Sequence, residues 1–156
     1  MSVTKGQQQA RIRFANYCNR IDRYVGGFQR RADENGKQYI GCQICVCRYT
    51  EPLPESVKAD REACITFKSV IDYWAGRWTE SVTAADVGIT NDPNIVRIGD
   101  AYYDWNIIKK MLKTFGKTVM LGVKSHEPNG LLYIADKDGN EGVLCSMRYN
   151  PDNERR

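Results

Sequence analysis

The stretch GLLYIADKDGNEGVLCSMRY, residues 130–149, places two extended runs on either side of Asp138-Gly139. A tight turn needs a positive φ, which glycine adopts without penalty, so Asp-Gly between apolar runs predicts an antiparallel hairpin. A third run, TVMLGVKS (118–125), precedes it across HEPN and predicts a third strand. In the last run Cys145, Met147 and Tyr149 alternate with Leu144, Ser146 and Arg148, and neither set is cleanly polar. One side is therefore expected in the core and the other on a partly apolar surface. DKDGNE reads as a turn: a calcium loop wants Gly at its sixth position and Glu at its twelfth, where this chain has Glu141 and Met147.

Working outward, a helix is expected from Asp100 or Tyr102, with Trp105, Ile108, Met111, Leu112 and Phe115 on one face and Gly116 as its stop. Asp100 and Asp104 near its start suit capping and the helix dipole. IVRIG (95–99) is a short extended piece. TESVTAADVGITNDPN (79–94) is small and polar, a long loop or internal boundary. A helix over roughly 56–75 carries Ala63, Cys64, Phe67, Val70, Ile71 and Trp74 on one face and stops at Gly76. TEPLPES breaks the chain before it, since its prolines cannot sit in a ladder. YIGCQICVCRY (39–49) reads as one strand after the turn signal ADENGKQ. Residues 8–25 form an arginine-rich helix with Ala10, Phe14, Tyr17, Cys18, Ile21, Tyr24 and Val25 at helical spacing, ended by Gly26-Gly27. The order is α-β-α, a loop, then β-α-β-β-β: a single α+β domain over 1–156, with helices packed on an antiparallel sheet.

The 156 residues suffice for a core without disulfides. No apolar run reaches the ~20 residues that span a bilayer, so no membrane partner is expected. The start has no apolar leader, which makes a cytoplasmic location the default. The net charge of +4 is unevenly distributed: residues 1–31 set Lys5, Arg11, Arg13, Arg20, Arg23, Arg30 and Arg31 against Asp22 alone. Six arginines to one lysine favour bidentate anion contacts, so these arginines are candidates for holding phosphate.

Of six cysteines, Cys42, Cys45 and Cys47 lie close together, the first two as C-x-x-C. Zinc normally takes four ligands, and there is no second C-x-x-C and one histidine, His126. On one continuous strand Cys42 would face away from Cys45 and Cys47. The expectation is buried, reduced cysteines with no metal and no cofactor, and a small zinc domain is the least favoured reading. Phosphate-loop and nucleophile-elbow motifs are missing, and nothing in the sequence brings a cysteine to His126; no enzyme is expected.

Residues 95–150 resemble the C-terminal end of the bacterial DNA polymerase sliding clamp (the β subunit). The resemblance rests on Tyr103 with Ile108, Met111 and Leu112 on the helix, on Val119 and Leu121, on Ile134 and Asp136, and on Met147-Arg148-Tyr149 at the end. Where the family usually has Pro before Met-Arg, this chain has Ser146. The resemblance implies a clamp-like fold segment and basic helices that touch duplex phosphates without reading sequence. It also implies a final strand, here Cys145, Ser146, Met147 and Arg148, beside a pocket for a peptide of a replication or repair protein. A homo-oligomeric ring would follow by the same analogy. The expected function is a non-enzymatic DNA-replication or maintenance accessory protein. The alternative is a protein-interaction or inhibitor module of phage or mobile-element origin, with Trp74, Trp78 and Tyr102 as interface anchors.

Overall fold

The computed structural model describes residues 3–21, 35–57, 63–75, 77, 80–83, 86–116, 119–123 and 130–149. Several expectations lie outside these residues: the tail of the first helix with Arg23 and Gly26-Gly27, then Arg30, Arg31, Trp78 and the His126 turn.

Helix α1, Lys5–Ile21, begins three residues earlier than its apolar stripe suggests. The reason is a reciprocal capping box: Gln7 N–H donates to Thr4 Oγ1 (3.1 Å) and Thr4 N–H donates to Gln7 Oε1 (2.8 Å). The 39–49 run is two strands, not one. Strand β1, Gln38–Gly41, turns back through Cys42-Gln43-Ile44 into β2, Cys45–Tyr49, with Cys42 N–H donating to the Cys45 carbonyl at 2.8 Å. Gly41 permits this fold-back, since a Cβ there would stand 3.0 Å from the Cys45 carbonyl oxygen and from Val46 Cγ2. Helix α2 spans Ala63–Ala75.

The polar stretch 79–94 is not all loop. It holds β3, Glu80–Val82, and β4, Val87–Ile89. Strand β5, Ile95–Ile98, matches the expected extended piece and pairs with β6, Ala101–Asp104. AYYD is thus a strand, not the helix start expected from the sequence. Gly99 at φ 62° closes the β5–β6 turn, and Ala101 and Tyr103 then alternate inward. Helix α3, Trp105–Thr114, starts only after Asp104 caps it, accepting from the N–H groups of Asn106 (2.9 Å) and Ile107 (3.2 Å). Asp104→Ala is therefore expected to lower stability by about 1 kcal/mol, read as a shift of the urea midpoint with unchanged slope.

Strands β7, Val119–Val123, β8, Leu131–Asp136, and β9, Glu141–Cys145, complete the chain. The β8–β9 turn has Gly139 at φ 88°, as Asp-Gly predicts. Asp136 organises this turn by accepting from the N–H groups of Gly116, Asp138 and Asn140. Among the described residues the architecture is three helices and two antiparallel sheets, an α+β fold. The larger sheet runs β1-β2-β9-β8-β7-β3 and the smaller β4-β5-β6.

Both faces of the larger sheet are covered. One meets α2 through Tyr39, Val46, Phe67, Ile71, Tyr133 and Val143. The other meets α1, α3 and the smaller sheet in a continuous core that includes Phe14, Cys47, Ile98, Met111, Leu132, Ile134 and Leu144. Neither side of the last strand looks polar because Val143 and Leu144 each face a helical layer. Among the described residues, no helix is long and apolar enough to cross a membrane.

Candidate nucleic-acid interface and thiol cluster

Helices α1 and α3 pack against each other, and neither contains an aspartate or glutamate. Together they carry Lys5, Arg11, Arg13, Arg20, Lys109, Lys110 and Lys113. Arg13, Lys110 and Lys113 converge with Ala10 and Phe14 on a shallow cavity of about 160 Å³. Arg13 and Lys113 are exposed, whereas Lys110 leans back so that its Nζ lies 4.9 Å from the centre of the Tyr17 ring. Arg20 is also exposed, on the side of α1 shared by Arg13 and Tyr17.

Arg11 does not belong to this face, which corrects its assignment to phosphate. It is 1 % exposed, its Nε donates to the Thr114 carbonyl (3.1 Å), and its guanidinium lies 4.4 Å over the Tyr49 ring. Burial lowers its pKa against the opposing pull of Tyr49 and nearby carboxylates. Gln7 Nε2 donates to the neighbouring Phe115 carbonyl at 2.8 Å. Arg11 and Gln7 thus satisfy carbonyls at the C-terminal end of α3 and pin the two helices together. A stripe of arginines cannot by itself separate the inward one from the outward ones. The α3 lysines, missed as site residues in the sequence, were legible only as KK and K within an amphipathic helix; α1 packing gives them their place.

The strand segment expected to border a peptide pocket joins the two sheets. Past the end of β9, Met147 N–H donates to the Tyr102 carbonyl at 2.8 Å, and Tyr149 meets the Tyr102 ring edge-on at 4.9 Å. Cys145, Ser146 and Met147 are half-buried and Arg148 is exposed.

The hairpin turn changes the reading of the cysteines. Because Cys42 and Cys45 flank a turn and not a continuous strand, their Sγ atoms approach to 3.7 Å. Cys18 of α1 joins them, and all three sulfurs lie within 4.8 Å of one another in the buried interior. Hydrogen bonds from Cys18 and Cys45 hold the Cys42 thiol far below its usual pKa. The Cys18 thiol is pushed up, first by burial, and the Cys45 thiol first by its hydrogen bond with Cys18. Cys47 stands outside this cluster, fully buried, its thiol raised to about 12 chiefly by burial.

Compared with family models, with curated proteins and with solved structures, the chain matches none of them.

Proposed function

We propose that the protein is a non-enzymatic accessory protein of DNA replication or maintenance that holds duplex phosphates against the α1–α3 face. The observation that carries this reading is the convergence of Arg13, Lys110 and Lys113 on one cavity between two helices that have no carboxylate. Such a face attracts a polyanion without reading its sequence, because phosphate contacts position a protein and carry no base information. The resemblance of residues 95–150 to a sliding clamp supplies the replication setting, since clamps present basic helices to duplex DNA. The charge is modest, so binding should be weak, non-specific and salt-sensitive.

The test is fluorescence anisotropy with labelled duplex DNA across a salt titration, comparing the wild type with a Lys110→Gln/Lys113→Gln variant. Affinity is expected to fall log-linearly with salt. Each lost phosphate contact should flatten the log–log slope by about 0.9, hence by about 1.8 for the pair. Arg11→Gln, by contrast, should destabilise the fold through Thr114 and leave the slope of the folded fraction unchanged. Absence of binding at low salt would reject the DNA reading and leave a protein-interaction module as the alternative.

A further inference from the structure

We propose that Cys18, Cys42 and Cys45 form a thiolate site for a soft divalent cation of the zinc class, binding the end of α1 to the β1–β2 turn. This inference is independent of the DNA reading.

Three observations carry it. First, the sulfur spacing suits the ion. Around a tetrahedral zinc with Zn–S bonds of about 2.3 Å, neighbouring sulfurs stand about 3.8 Å apart. The Cys42–Cys45 separation is 3.7 Å, and the Cys18 sulfur lies within 4.8 Å of both. Second, the ligands come from distant parts of the chain and rest on rigid supports. Cys18 is on a capped helix, and Cys42 and Cys45 flank a turn closed by the Cys42 N–H to Cys45 carbonyl bond. Gly41 lets that turn close, since any side chain there would collide with Cys45 and Val46. Third, all three ligands are buried, at 0 %, 3 % and 2 % exposure, so the site is shielded from competing solvent.

Packing alone accounts less well for this arrangement. Cys47 fills the same core as a small apolar side chain without joining the cluster, so the convergence of the other three is not a general property of these cysteines. A thiol is a weak hydrogen-bond partner, and three of them meeting leaves their polar capacity poorly used. A dication would be matched by deprotonated sulfurs, whose protons leave for solvent on binding. The fourth position is left to one water carried in with the ion, since Cys145 lies beside the turn but outside the three-sulfur cluster. The Cys145 N–H donates to the Ile44 carbonyl at 2.8 Å, and its Sγ lies 3.9 Å from the Gln43 carbonyl within the same turn.

The experiment is titration of the reduced, metal-free full chain with Co²⁺ and then Zn²⁺, followed by absorption and by thermal melting. One equivalent of Co²⁺ should produce a thiolate-to-metal charge-transfer band with the strong visible bands of a tetrahedral ion, and Zn²⁺ should abolish both. Cys18→Ala should weaken Co²⁺ binding by about 100-fold or more, while Cys47→Ala should bind as the wild type does. Stoichiometric Zn²⁺ should also raise the wild-type Tm, and chelation should reverse the rise, a readout that does not depend on how the variants fold. No stoichiometric binding by the reduced wild type, or no change in Tm with Zn²⁺, would overturn the site. Equal affinity in Cys18→Ala would overturn it as well, leaving only an isolated C-x-x-C.

Discussion

Arg48→Ala is expected to cost about 3 kcal/mol, because it removes the close cation of a largely buried carboxylate and leaves Glu141 only the more distant Lys37 Nζ at 4.0 Å. Arg48 lies under α2 with 8 % of its side chain exposed; its Nη1 meets Asp72 Oδ1 at 2.5 Å and its Nη2 meets Glu141 Oε1 at 2.7 Å. Glu141 is 14 % exposed and its other oxygen accepts from the Tyr133 hydroxyl at 2.6 Å. The arginine therefore links α2 to β2 and β9 across the sheet face. Removing the other end should cost much less. Asp72 is 44 % exposed and also pairs with Lys68 at 2.7 Å, so Asp72→Ala should lose about 1 kcal/mol or less. Urea unfolding of both variants checks the contrast, and equal losses would show that burial of Glu141 is not what makes Arg48 important. Acid offers a second check. Burial works to raise the Asp72 pKa, but hydrogen bonds from Lys68 and Arg48 outweigh it and leave the folded value below the ordinary one. Its contribution is then complete above the unfolded pKa of about 3.9 and lost as pH falls through the lower folded value. Asp72→Asn should flatten that acid limb.

Gly142→Val is the second large effect, with an expected loss of about 3 kcal/mol. Gly142 in β9 faces the α3 side of the sheet, where an added Cβ would stand 2.9 Å from Met111 Cε, 3.2 Å from Cys47 Sγ and 3.2 Å from Phe115 Cζ. Met111 is flexible and can withdraw its methyl group, so Gly142→Ala should be tolerated within about 1 kcal/mol. Valine adds two more carbons against Cys47 and the Phe115 ring, which are themselves buried and cannot yield without opening the α3 contact. Thermal melting of the two variants separates these outcomes. A Val variant as stable as the Ala variant would mean that α3 shifts away from the sheet without penalty.

Several elements were legible in the sequence because their signals are local. Asp138-Gly139 marked the β8–β9 turn through the φ that the turn demands. The apolar stripe of α3 followed from helical spacing, while Asp100 and Asp104 both suited its start and only the structure gives the cap to Asp104. The same local logic failed where two local readings competed. Ala101–Asp104 could begin a helix or end a hairpin, and pairing with β5 decided for the strand. The 39–49 run alternates well enough for one strand, but Gly41 allows a fold-back that periodicity does not register. In the polar 79–94 stretch, β3 is too short to show a period and owes its place to β7.

The candidate sites divide in the same way. Sequence by itself determined the α+β class, the C-terminal hairpin and the cationic character of α1, because composition, turn chemistry and periodicity are properties of neighbouring residues. Only the tertiary structure decided which cations share a surface. It turned Arg11 inward to the end of α3 and brought Lys110 and Lys113 beside Arg13. It also brought Cys18 to Cys42 and Cys45, 24 and 27 positions further along the chain, and turned a rejected metal motif into a three-sulfur cluster. The physical reason is that a binding face or a metal cage depends on directions in space. Those directions are set by how helices and sheets bury their apolar sides against each other, not by the spacing of residues along the chain.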